Sequence, residues 1–147
     1  MQVDFAFLAD AAVATPDGKI SAIGLGFEDI GVPDFPATLQ NMAFAVRLFI
    51  HPAECDREHT LSIQLWNPDG AIMDVHVEAT FTSAKKVTNP TGNASLLLVL
   101  NLRDTVFPVP GSYAFHVIVD GTHLKEVPLH LMERQRFLDA MAGQGAT

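Results

Sequence analysis

The chain has a single cysteine, Cys55, among its 147 residues, so it can close no disulfide within itself. Burial alone must hold its core. No run approaches the roughly 20 consecutive apolar residues that a membrane-spanning helix needs, and the first residues have neither the basic segment nor the long apolar stretch of a secretory signal. Both absences lead to the expectation of a cytoplasmic protein with no membrane partner. Basic residues are also scarce: nine Lys plus Arg against 17 Asp plus Glu leave a formal charge of −8. That field repels phosphate backbones and anionic lipid, so no nucleic-acid partner is expected. Apolar residues at helical spacing are missing until near the C-terminus.

What is abundant is alternation. Phe107 to Leu131 contains two alternating segments joined by Asp120-Gly121, whose positive φ values suit a type I′ hairpin turn, with Tyr113, Phe115, Val117 and Val119 on one face. Extended segments are predicted at about 2–9, 19–27, 40–50, 60–66, 71–81, 95–102, 112–120 and 122–131. Thr15-Pro-Asp-Gly18 and Asn67-Pro-Asp-Gly70 put Pro second and Gly fourth, as type I turns prefer, and each should join antiparallel neighbours. Val32-Pro-Asp-Phe-Pro36 cannot donate fully to a ladder and reads as a crossover between sheets. Residues 83–94 read as a mobile polar loop, and residues 132–142 as a short helix that Gly143-Gln-Gly145 should end.

With 48% hydrophobic residues the chain can bury one full core. The expected fold is all-β: an antiparallel two-sheet β-sandwich of immunoglobulin-like type, with about 7–8 strands over residues 1–131 and a short helix and tail over 132–147. A closed barrel is the alternative. The paired cysteines of true immunoglobulin domains are absent.

Candidate chemistry is thin. His51, Cys55 and His59 could bring metal-ligating atoms together in one loop, but their spacing suits neither a structural zinc site nor a blue-copper site. His76 and His116 would share a ligand only if their strands were neighbours. Glu28 and Asp29 are adjacent and point to opposite faces, and Gly24-Leu-Gly26 reads as a bend with no helix behind it to cradle phosphate. Cys55 has no orienting group that would make it a nucleophile. No catalytic residue, cofactor or metal is expected, and an interaction or assembly role is the favoured reading. A small enzyme or metal protein using the 51–59 loop is one alternative, and a small-molecule carrier is another.

One segment departs from one-sided alternation. In Ser95 to Leu102, Leu96, Leu98, Leu100 and Leu102 supply one apolar face while Leu97 and Val99 supply the other, and the following strand adds Ala114 and Ile118 opposite its core face. Left wet together, such side chains would forfeit several kcal/mol, at about 1.5–3 kcal/mol each. The expected cover is the C-terminal helix, through Phe137, Leu138 and Met141, or another chain. A homo-oligomer is favoured.

The cadence Phe7-Leu-Ala-Asp10, Asp17-Gly-Lys19, Gly24-Leu-Gly-Phe27 and Phe35-Pro36, followed by Asp69-Gly70, Pro110-Gly-Ser-Tyr113 and Asp120-Gly121, resembles a family of small bacterial proteins known as a domain of unknown function. The resemblance spans about residues 3–131. It implies a β-sandwich and a bacterial source, and assigns no activity or site residue.

Overall fold

The computed structural model describes residues 1–85 and 92–145. Its strands are β1 (Gln2–Ala9), β2 (Ala11–Ala14), β3 (Ile20–Ile23), β4 (Asp29–Val32), β5 (Ala37–Ile50), β6 (Glu58–Trp66), β7 (Ile72–Thr82), β8 (Ala94–Phe107), β9 (Gly111–Val119) and β10 (Thr122–Glu133), followed by helix α1 (Arg134–Gly145). A three-stranded sheet has the order β1-β5-β8, a five-stranded sheet the order β4-β10-β9-β6-β7, and β2 and β3 form a separate hairpin. The two larger sheets face each other as an open β-sandwich. Among the described residues ten strands stand where about seven or eight were expected.

Alternation explains the packing. On β6, Leu61, Ile63 and Leu65 are buried while Ser62 and Gln64 face away, and on β9 Tyr113, Phe115, Val117 and Val119 join the same core. Phe44 of β5 stacks on Phe115 across the interior with ring centroids 4.8 Å apart. Aromatic pairs at this spacing add to the gain from area burial, so this contact helps to bind sheet to sheet. Tyr113 turns its ring edge to Phe107 at 4.9 Å and donates its hydroxyl to the Val109 carbonyl at 2.6 Å, which anchors the entry into β9.

The turn chemistry performs as expected. Gly18 N–H donates to Thr15 carbonyl and Gly70 N–H to Asn67 carbonyl, closing the β2–β3 and β6–β7 connections. Asp120 and Gly121 have φ of 50° and 78° between β9 and β10. The Val32–Pro36 segment carries the chain from the five-stranded sheet to the three-stranded one.

Three expectations need amendment. The extended segment over 19–27 shrinks to β3, because Gly24 and Gly26, with φ of 65° and 88°, bend the chain away and Gly26 N–H donates back to Leu8 carbonyl. Strands β2 and β4 were not expected, since four residues are too few to establish a period. Of these, β4 runs parallel to β10, with Asp29 level with His130 and Val32 with Glu133, so one ladder is not antiparallel. Helix α1 starts at Arg134 and runs past Gly143. It docks on β4 at Gly31, where a Cβ would meet the Phe137 side chain at 2.7 Å, so the missing side chain makes room for the helix. The loop expected over 83–94 includes residues 86–91, which lie outside the described residues.

Candidate functional site

The 51–59 loop is a structural clamp. His59 is 3% exposed, with Nδ1 at 2.6 Å from the Asp120 carboxylate and Nε2 at 2.7 Å from the Glu54 carbonyl. Both partners can accept, so the doubly protonated ring would satisfy both contacts by donating twice. The Asp120 hydrogen bond, helped by the Glu54 carbonyl, holds the imidazole above its ordinary pKa, and His59 in turn holds the Asp120 carboxyl below its own. Asp120 also accepts from Thr60 N–H at 2.9 Å. The clamp therefore ties the β5–β6 connection to the β9–β10 turn. His51 Nδ1 accepts from Ala53 N–H at 3.2 Å and caps the short 3₁₀ turn Pro52–Glu54, while the buried Cys55 thiol donates to His51 carbonyl at 3.6 Å. The three side chains face different partners, and among the described residues no group of three or more His, Cys, Asp or Glu is arranged to hold a metal ion.

The expected interface patch divides into three parts. Strands β8 and β9 are neighbours in sequence, but β8 pairs with β5 and β9 lies between β6 and β10, so Leu97 and Val99 belong to one sheet and Ala114 and Ile118 to the other. The error has a physical origin: Pro108 and Pro110 lead the chain across to the facing sheet, as Pro33 and Pro36 do earlier. Phe137 packs on Gly31 of β4, leaving Leu138 and Met141 about half exposed. Val99 is partly buried, and within the chain its cover is not the C-terminal helix. The β2–β3 hairpin lies over it, forming a cluster with Ala9, Ala12, Ala43, Phe7, Ile20 and Ala22, and Asn101 Nδ2 donates to Ala12 carbonyl at 3.1 Å.

Beyond the hairpin, the outer face of the three-stranded sheet is half-open and apolar. Phe5, Arg47 and Leu97 stand in register across β1, β5 and β8. Phe5 stacks on Phe7 at 5.7 Å, and the Arg47 guanidinium lies 5.5 Å over Phe49. Arg47 Nε is 3.8 Å from the Asp4 carboxylate. Phe5, Phe49 and Leu97 join none of the buried clusters of the described residues.

The outer face of the five-stranded sheet is polar and ordered. His76 and His116 are not neighbours; Gln64 of β6 stands between them, in register with both. His116 meets Trp66, the only tryptophan, at 3.9 Å between ring centroids, and its Nδ1 is 2.8 Å from His123 Nε2. Burial pushes the His116 pKa down. Trp66 Nε1–H donates to Gln64 Oε1 at 2.9 Å, and Gln64 Nε2 donates to Ser62 Oγ at 3.1 Å. Nothing in the local sequence announced the Trp66–His116–His123 contact, which needs three strands to be aligned.

At the helix end of the same sheet lies a cleft of about 630 Å³ lined by Asp29, Ser112, His130, Glu133 and Arg136, among others. Ser112 Oγ is 2.8 Å from His130 Nδ1. Among the described residues no carboxylate holds the other imidazole nitrogen, so the pair lacks the orienting third group of a serine nucleophile. No helix of the described residues is long and apolar enough to cross a membrane.

A search of curated proteins finds no match. The profile of DUF6941, described as a family of unknown function, matches residues 4–132, which covers nearly all of the sandwich. The chain belongs to that family of unknown function.

Proposed function

We propose that this protein is a non-catalytic assembly module that associates with a second copy of itself through the outer face of its three-stranded sheet. The observation that carries the reading is the Phe5–Arg47–Leu97 row, flanked by Phe7 and Phe49, which the β2–β3 hairpin stops short of covering. In a two-fold contact such a patch meets itself. Phenylalanine and arginine are enriched at interfaces, and Asp4 keeps a countercharge for Arg47 inside the patch.

Several observations support the remaining parts of the reading. The strand order supports an immunoglobulin-like reading, in which β1, β5 and β8 would correspond to strands A, B and E, and β10, β9, β6 and β7 to G, F, C and C′. The Tyr113 hydroxyl bonded back to Val109 resembles the tyrosine corner of such domains. A free, buried Cys55 suits a reducing cytoplasm. A bacterial source rests on the turn cadence alone. Binding without catalysis is supported by the uses of the candidate groups: the Cys55 thiol is spent on a backbone carbonyl and Ser112–His130 lacks an orienter.

The test is Leu97→Glu. Light scattering should give a dimer or larger species for the parent and a smaller one for the variant, with both keeping a β-type circular dichroism spectrum and a cooperative melt. A parent that stays monomeric at high concentration would overturn the reading.

A further inference from the structure

We propose that the outer face of the five-stranded sheet carries a two-imidazole site for a divalent transition-metal ion of the copper(II) type, with His116 Nδ1 and His123 Nε2 as its ligands. The two nitrogens are 2.8 Å apart on adjacent strands. Metal–imidazole bonds of about 2.0–2.1 Å put two ligands about 2.9 Å apart at a right angle and about 3.3 Å apart at a tetrahedral angle. The present 2.8 Å is a hydrogen-bond length, and rotation of His123 opens the pair to admit an ion; two imidazoles with the remaining positions open suit tetragonal copper(II) and nickel(II). Between those two ions, copper(II) binds nitrogen donors more tightly.

The fold prepares this approach. His123 pairs with Ile118, two residues from His116 on the facing strand, and the register slips only beyond it, between His123 and Lys125, so that Glu126 rather than Lys125 comes level with His116. Trp66, stacked on His116, restrains that ring, whereas exposed His123 is free to turn into coordinating orientation. The hydrogen bond between the rings uses one proton, and chelation requires only that the donating ring move it to its other nitrogen, so no co-reactant is needed. Glu126, in register with His116, contributes negative charge beside the site. No third ligand is grouped with the pair among the described residues, so water completes the coordination.

Trp66 is a built-in reporter, because a paramagnetic ion held by its stacking partner quenches its fluorescence. Titration of the whole protein with copper(II) chloride should give a saturable one-to-one quench, and electron paramagnetic resonance should show hyperfine coupling to two imidazole nitrogens. His123→Gln, at an exposed position, should lose both signals while keeping the parent's circular dichroism and melting. His51→Gln, which removes another histidine of the chain, should leave both intact. Undiminished quenching and two-nitrogen coupling in a folded His123→Gln protein would overturn the proposal, as would tighter retention of zinc than of copper.

Discussion

The two outer faces of this sandwich are built by the same alternation and end with opposite characters. On the three-stranded sheet apolar side chains surround Arg47 at the outward positions, and the protein covers part of them with its own β2–β3 hairpin, over Ala43 and Val99, while Phe5, Phe49 and Leu97 stay half-open. On the five-stranded sheet the outward positions hold Ser62, Gln64 and Trp66, which bond to one another along β6, and His116, which bonds across to His123. An apolar face gains by being covered; a polar face satisfied by its own neighbours loses nothing by staying wet. Self-association is accordingly proposed for the first face and a metal ion for the second.

The contrast between faces presupposes a common interior, and breaking that interior should have the largest effect. Phe115→Ala removes the ring stacked on Phe44 and should cost about 3–5 kcal/mol in chemical denaturation. A loss below about 1 kcal/mol would mean that the sheets are not joined there.

Next in size is the clamp at the loop end. His59→Ala deletes two hydrogen bonds from a buried imidazolium and should cost about 2–3 kcal/mol. The sign of its pH dependence follows from the shifts. His59 is raised from 6.5, so its contribution is complete below that value and fades as pH rises through the folded pKa. Asp120 is lowered from 3.8, so its contribution holds above that value and fades as pH falls through the folded pKa. The clamp is therefore strongest in mildly acidic solution. His116 behaves oppositely to His59: its pKa is lowered from 6.5 by burial, so its contribution is lost as pH falls. Denaturant melts at about pH 5.5 and about pH 8.5 should show a larger gap between parent and His59→Ala at the acidic value. An equal gap at both values would argue against a charged His59.

The smallest effects test the covered and open halves of the apolar face directly. Val99→Ala, beneath the hairpin, should cost about 1–1.5 kcal/mol. Leu97→Ala, in the open half, should stay within about 0.5 kcal/mol when measured at concentrations low enough to separate subunits. Equal costs would erase the distinction and show that something besides the hairpin covers Leu97.

Much of this was legible in the chain itself, for a local reason. Which side of a strand is apolar depends on residues two apart, and which turn forms depends on four adjacent residues, so the long strands, the Asp120-Gly121 hairpin and the Val32–Pro36 crossover could be read from sequence. The β2 and β4 strands could not, because their pairing partners confer extension on segments too short to declare it.

What only the tertiary structure decided is partnership between distant residues. Sequence identified Leu97 and Val99 as an apolar face needing cover, but only the return of the β2–β3 hairpin, some 80 residues earlier in the chain, set which of the two is covered. His59 looked like a loop ligand until Asp120, separated from it by 61 positions, became its hydrogen-bond partner. His116 gained Trp66 and His123 in the same way, when β6, β9 and β10 were aligned. Periodicity specifies the face a residue occupies; strand order and register, which depend on the energy of the whole packed chain, specify what it meets there.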